Sequence, residues 1–309
     1  SDVGWFYRDQ GGALLSAALR RYMYIVIHPY FHDRRIRLKY SQTEDISDVD
    51  DIQHSIFRCC LKRFKVDGGI EIASFADVPA GTGLGSSSTF TVGLLHALYA
   101  WQGKRVSKAQ LAREACEIEI DVLGKPIGKQ DQYAAAFGGL NVIGFHPDES
   151  VSVDPVPVPA GTLDEMERRL RLYYVSGSRS ADEILQAQNA DVDRAAKRRQ
   201  LAQLVALVPA LQRELAAGNA DAIGQLLHRG WLVKKGIVSA ISNDEVDRHY
   251  ARARELGALG GKLLGAGGTG FLMLYSHDQR RLQDELGLRS LPFSIDREGT
   301  KVLFDEPTA

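Results

Sequence analysis

VPAGTGLGSSSTF, residues 78–90, carries three alternate glycines, Gly81, Gly83 and Gly85, followed by Ser86, Ser87 and Ser88 and an apolar run. Glycine reaches positive φ without steric cost, so alternate glycines turn successive backbone N–H groups toward one point. A helix starting near Ser86 would add its unpaired N–H groups and the positive end of its dipole. Two readings are open: a phosphate cradle, or a serine-capped helix behind a flexible turn. The loop is not a Walker loop, because no Gly-Lys-Ser/Thr closes it, and its glycines are wrongly spaced for a dinucleotide fingerprint. Residues 78–103 hold no formal charge. Their apolar part is nevertheless only about three helical turns, short of the roughly 20 residues of a membrane span.

Outward from this loop, residues 22–29 and 36–40 are rich in β-branched and aromatic side chains, as strands are, and 69–75 read as another strand. Residues 47–64 read as a helix. The clearest helix is 106–124, with Ser107 as its cap, Gln110 as the reciprocal partner and Gly124 at its end. On it Leu111, Ala115, Ile118 and Val122 make an inward stripe. Glu119 falls beside that stripe, between Cys116 and Leu123, whereas Glu114, Glu117 and Asp121 fall toward the polar side. A carboxylate at the edge of a core needs a partner. Glu119 is therefore expected either to pair with a Lys or Arg or to hold a cation. Asp131 stands in the first turn of a short helix ending at Gly138-Gly139, where the helix dipole favours an acid.

The Pro-rich stretch 154–161 reads as the boundary between two halves. A strand at 170–175 follows, then a mainly helical stretch over 180–257 with Asn243 capping its last helix. A glycine turn, a strand at 271–275, a short helix near 279–286 and two short strands finish the chain. This order predicts an α+β protein with domains 1–164 and 165–309. Gly265 to Gly270, GAGGTG, fits G-x-G-x-x-G literally. It is read as following a helical segment and entering a strand, the reverse of the context that binds nicotinamide dinucleotides.

The 309 residues are 44% hydrophobic and 25% charged, with 38 basic against 39 acidic side chains. That balance excludes disorder and gives no basic surface for nucleic acid. Cys59, Cys60 and Cys116 are odd in number and lack metal-ligand spacing, so they read as reduced thiols of a cytoplasmic protein. His28 and His32 lie in strand and turn sequence and read as ordinary histidines. Lys125, Lys129, Arg179, Lys234 and Lys235 are the basic groups that could grip a phosphate, against the alternative that at least half of them are ordinary solvated surface. Arg179 is preferred, because its guanidinium fork suits phosphate bidentately.

P-x-G-x-G-L-G-S-S-S at 79–88, with K-L-L-G-A-G-G-T-G-F at 262–271, resembles the second and third motifs of the GHMP kinase superfamily. FYRDQGGALLSAAL at 6–19, GKPIGKQDQYAAAFGGLN at 124–141 and SGSRSADEIL at 176–185 resemble the sugar kinases related to D-glycero-D-manno-heptose 7-phosphate kinase. The resemblance implies a ribosomal protein S5 domain 2-like N-terminal domain, a ferredoxin-like C-terminal domain and an active site between them. It implies ATP phosphates at Pro79, Gly81, Gly83, Leu84, Gly85, Ser86, Ser87 and Ser88, and Mg²⁺ at Ser87 and Glu119. Asp131 would face the acceptor hydroxyl, with Asp2, Lys129, Arg179, Gly267 and Gly268 toward the substrate.

The reaction so implied moves the γ-phosphoryl of ATP to the anomeric hydroxyl of a heptose 7-phosphate, for nucleotide-activated heptose synthesis. A kinase of an unphosphorylated hexose such as galactose or fucose, and a non-catalytic sugar and nucleotide sensor, are the rival readings. The chain departs from the family in two places. The family's opening R-x-x-x-x-G-G-G-[ST]-D is represented by what looks like its last two residues, Ser1 and Asp2, so a strand and its turn are expected upstream. Thr269 stands where glycine is frequent.

Overall fold

A computed structural model describes residues 1–175, 181–190 and 193–306. In chain order the elements are α1 (Gly4–Gln10), β1 (Gly12–Ala17), β2 (Met23–Pro29), β3 (Ile36–Lys39), β4 (Thr43–Ile46), α2 (Ser55–Phe64), β5 (Ile70–Ala76), α3 (Ser86–Trp101), α4 (Lys108–Cys116), α5 (Gln130–Phe137), β6 (Leu140–Phe145) and β7 (Val151–Pro155). They continue with α6 (Ala160–Arg169), β8 (Leu170–Val175), α7 (Ala181–Asn189), α8 (Arg194–Ala216), α9 (Asp221–Lys235), α10 (Asp244–Glu255), β9 (Gly260–Leu263), β10 (Gly270–Tyr275), α11 (Gln279–Leu286) and β11 (Ser290–Pro292). The class is α+β, as expected.

The chain forms two compact units that interleave in sequence. One comprises Ser1–Arg20, Gly81–Leu84 and Gly139–Asp296, and the other comprises Arg21–Ala80, Gly85–Gly138 and the chain from Arg297. In the first unit β1, β6 and β7 make an antiparallel three-stranded sheet. Its second sheet has the order β11-β8-β10-β9, antiparallel throughout. Strand β8, the helices α7 to α10, the β9–β10 hairpin, α11 and β11 thus trace the βαββαβ path of a ferredoxin-like fold. Tyr173, Val175, Leu263, Leu272 and Leu274 of that sheet pack with Trp231, Ile241 and Tyr250 in one core. Burial of such side chains stabilises by about 1.5–3 kcal/mol each.

In the second unit β5 runs antiparallel to β2 and parallel to β3, and β4 completes the sheet β2-β5-β3-β4. Ile36 and Leu38 of β3 lie beside Ile70 and Ile72 of β5. All four are buried, together with Phe57 and Leu61 of α2 and Leu94, Leu95 and Leu98 of α3. α3 is apolar enough to be buried on most sides, which explains the uncharged run in the sequence. No helix among the described residues is long and apolar enough to cross a membrane.

Several expected elements differ. Within 47–64 only α2 and a short 3-10 turn, Val49–Asp51, are helical. The Pro-rich stretch 154–161 holds the end of β7 and the start of α6. Pro159 ends the extended run and leads directly into α6. Of the two closing strands only β11 forms; beyond it Ile295 makes an isolated bridge to Leu19.

Candidate active site

Helix α3 begins at Ser86, and its cap residue is Gly85, held at φ 70° with no side-chain cap. The serine-capped alternative is therefore wrong: the serines lie inside the first turn, and no hydroxyl stands where a cap would. Pro79 is exposed, Leu84 and Ser86 are half-buried, and Ser88 is buried. Ser87 is exposed, and its hydroxyl donates to Glu119 Oε1 at 2.7 Å. The Thr89 hydroxyl donates to the Gly85 carbonyl at 2.9 Å and the Thr91 hydroxyl to the Ser87 carbonyl at 3.0 Å. Both bonds tie down the first turn.

Glu119 is wholly buried. It lies on a π-helical turn, Glu117–Val122, that continues α4. Its Oε2 accepts from Gln132 Nε2 at 2.8 Å. Its Oε1 lies 3.1 Å from Lys125 Nζ, which also donates to the Ser87 hydroxyl at 2.7 Å. A buried charge is tolerable only when paired and hydrogen-bonded, and these partners meet that need.

The π turn explains part of what regular helix periodicity missed. An i→i+5 turn takes more residues than an α turn, so positions after it rotate off the 3.6-residue count. Val122, expected on the inward stripe, is 65% exposed. Glu114, expected on the polar side, is buried for a different reason. It accepts from the Tyr99 hydroxyl at 2.8 Å and from Gln110 at 2.9 Å, with Arg63 3.4 Å away. Ser107 caps α4 as expected, but Gln110 is used on Glu114 and Tyr99 rather than in a reciprocal bond.

Asp131 occupies the first turn of α5, as the sequence suggested. Gln130 Nε2 donates to its Oδ1 at 2.9 Å. A Cβ built on Gly85 would lie 2.9 Å from Asp131 Cγ. The carboxylate thus fills the space that any side chain at position 85 would need. Lys129 is half-buried immediately before α5.

In the first unit the two glycine motifs stack backbone on backbone. A Cβ at Gly83 would lie 2.9 Å from the Leu264 carbonyl oxygen, one at Gly265 2.6 Å from Gly83 Cα, and one at Gly270 2.5 Å from the Thr82 carbonyl oxygen. GAGGTG joins β9 to β10, so a strand precedes it rather than the expected helical segment. No helix follows it, and the dinucleotide reading still fails. The Gly268 N–H donates to the Ile241 carbonyl at 3.0 Å, and the Gly268 carbonyl accepts from Asn243 Nδ2 at 2.6 Å. A Cβ on Gly267 would meet Ile241 as well, at 2.6 Å.

Of the five basic candidates, Lys234 donates to the Gly265 carbonyl at 2.7 Å and Lys235 pairs with Asp247 at 2.9 Å. Asp2 is half-buried just ahead of α1. Arg179 lies outside the described residues. Gln132 was not anticipated; one residue beyond Asp131, it faces inward and grips Glu119. Cys59, Cys60 and Cys116 are free thiols, and burial pushes the Cys60 thiol well up.

A carboxylate and a hydroxyl are hard oxygen donors of the kind Mg²⁺ takes, and Mg²⁺ commonly uses one or two carboxylates with substrate phosphates and water. Gln132 Oε1, buried without a hydrogen-bond partner, is a further oxygen on a residue bonded to Glu119. No cluster of three His, Cys, Asp or Glu side chains suited to a metal occurs among the described residues. Ser87 and Glu119 therefore fit a phosphate-assisted Mg²⁺ site rather than an all-protein cage.

The family model for the GHMP kinases N terminal domain matches residues 53–139, and that for the GHMP kinases C terminal matches 207–289. The chain is 32% identical over 257 residues to D-glycero-alpha-D-manno-heptose 7-phosphate kinase of Campylobacter jejuni subsp. jejuni serotype O:2, covering 81% of this chain and 76% of that protein. Among solved structures, a D-glycero-D-manno-heptose 1-phosphate kinase from Bacteroides thetaiotaomicron superposes with a TM-score of 0.78 at 24% identity, covering 98% of this chain and 95% of that one. A putative sugar kinase from Campylobacter jejuni superposes with a TM-score of 0.74 at 27% identity, covering 93% and 88%. The chain belongs to the GHMP kinase family. Members of that family are ATP-using kinases.

Proposed function

We propose that this kinase transfers the γ-phosphoryl of ATP to the anomeric hydroxyl of a sugar phosphate, D-glycero-D-manno-heptose 7-phosphate, in the synthesis of nucleotide-activated heptose. The observation that carries the mechanism is the placement of the Asp131 carboxylate against the last cradle glycine, Gly85, in the unit that also holds the Ser87–Glu119 pair. The 32% identity to a heptose 7-phosphate kinase supports the choice of substrate.

In this reading Gly81 to Ser88 bind the ATP phosphates through backbone N–H groups and the open start of α3. Ser87 and Glu119 hold Mg²⁺, which neutralises phosphate charge when bound. Asp131 orients the sugar hydroxyl and receives its proton as the new P–O bond forms and the bond to ADP breaks. Because phosphoryl transfer passes through a loose transition state, that proton leaves late and orientation matters most. Asp2, Lys129, Gly267 and Gly268 complete the substrate side, and residues 1–164 and 165–309 are assigned as the two sequence domains. Free thiols and the need for ATP support the reading of a cytoplasmic enzyme.

Arg179 is assigned to the 7-phosphate. Arg179→Ala should raise KM for the phosphorylated sugar at least tenfold, about the loss of one charge-assisted bidentate contact, and raise it much less for the unphosphorylated analogue. Equal effects on the two would remove Arg179 from phosphate binding. Release of ADP across a panel of heptose 7-phosphate, free heptose, galactose and fucose tests the substrate. Turnover with the free hexoses alone would favour the rival reading.

A further inference from the structure

Lys125 is tied to Glu119 at both ends. Its backbone N–H donates to the Glu119 carbonyl at 3.0 Å. Gly124, at φ 65°, turns the chain directly after the π turn so that this bond can form. The ammonium then returns to the same residue, 3.1 Å from Oε1, and donates to the Ser87 hydroxyl at 2.7 Å. Its side chain is 27% exposed, against 0% for Glu119. An ordinary surface lysine loses much rotamer freedom when fixed in one geometry and gains little. Here the backbone anchor sets the starting point, and a fully buried carboxylate supplies the attraction.

The two oxygens that hold the ammonium are the same two that would hold Mg²⁺. Two cations at contact distance from one carboxylate oxygen repel each other strongly, so they compete. We propose that Lys125 is a built-in counter-cation of the Ser87–Glu119 pair, which keeps free divalent metal off the pair and yields it to metal arriving with nucleotide. Nucleotide phosphates supply the displaced ammonium with a new anionic partner, whereas free metal supplies none. Metal and nucleotide therefore bind as a unit, and Lys125 moves from carboxylate to phosphate as they enter. This inference rests on the assignment of Ser87 and Glu119 as the metal-holding pair.

The test is a Mn²⁺ titration of the full chain, reading the free ion by electron paramagnetic resonance, without nucleotide and with the non-hydrolysable analogue AMPPNP. Wild type and Lys125→Arg should bind Mn²⁺ weakly without nucleotide. Lys125→Met and Lys125→Gln should bind it at least about tenfold more tightly, and AMPPNP should erase that advantage. Lys125→Gln keeps a donor toward Ser87 and Glu119, so the comparison survives if the methionine variant folds poorly. A structural lysine would alter melting temperature without tightening metal binding. No gain in either neutral variant, with Glu119→Gln losing the AMPPNP-dependent site, would overturn the role of Lys125 and leave the metal pair standing. Full Mn²⁺ binding by Glu119→Gln with AMPPNP would overturn the metal pair and this inference with it.

Discussion

Asp131→Asn should lower kcat by about 10²–10⁴-fold, the usual contribution of a positioned acid–base group, while the protein stays folded. The substitution keeps the shape of the side chain and its hydrogen-bond partner Gln130. What it removes is the negative charge that, in the proposed mechanism, orients the sugar hydroxyl and accepts its proton. The folding penalty is small, because an acid in the first turn of a helix contributes about 0.3–1 kcal/mol through the dipole. Circular dichroism should therefore show an unchanged spectrum and a nearly unchanged melting temperature. ATP binding, which the proposal assigns to the glycine loop, should persist. Near-normal turnover would remove Asp131 from the reaction.

Gly85→Ala should damage both stability and turnover, and for separable reasons. Residue 85 sits at φ 70°, where a Cβ costs about 1–2 kcal/mol. That same Cβ would lie 2.9 Å from Asp131 Cγ and 3.0 Å from its Oδ2. Either the start of α3 or the carboxylate must move. A displacement of about an ångström at a positioned group can lower turnover by about 10²-fold. The variant should thus lose more activity than its melting temperature explains. Gly81→Ala is the matched control: it shares a positive φ, 78°, but no atom lies within 4 Å of its Cβ. It should show the backbone penalty on melting temperature without the further loss that the clash with Asp131 adds at position 85. Equal losses in the two variants would mean that contact with Asp131 has no part in the effect.

Much of the fold and the candidate site was legible in the sequence. Alternate glycines before serines, the Ser107 and Asn243 caps and the β-branched runs of β2, β3 and β5 each report a local preference that the fold keeps. What escaped depends on partners distant in sequence or on irregular geometry. The π turn breaks the periodicity from which Val122 was placed inward. Glu114 is buried because Tyr99, Gln110 and Arg63 meet it there, and no pattern along α4 announces them. The stacking of Gly83 on Gly265 is a backbone contact between motifs far apart in the chain. Glu119 illustrates the limit best. Pairing with a lysine and holding a cation were both open from sequence, and the structure shows the first through Lys125 on oxygens that suit the second.

The central claim, transfer of phosphoryl to the anomeric oxygen of a sugar phosphate, is tested most directly by ³¹P NMR of the product. The chain is incubated with ATP, Mg²⁺ and D-glycero-D-manno-heptose 7-phosphate. The expected result is a second sugar phosphate resonance, coupled to the anomeric proton, growing in step with ADP while the 7-phosphate signal remains. A phosphoryl group on another oxygen, or no sugar bisphosphate while galactose or fucose is phosphorylated, would contradict it.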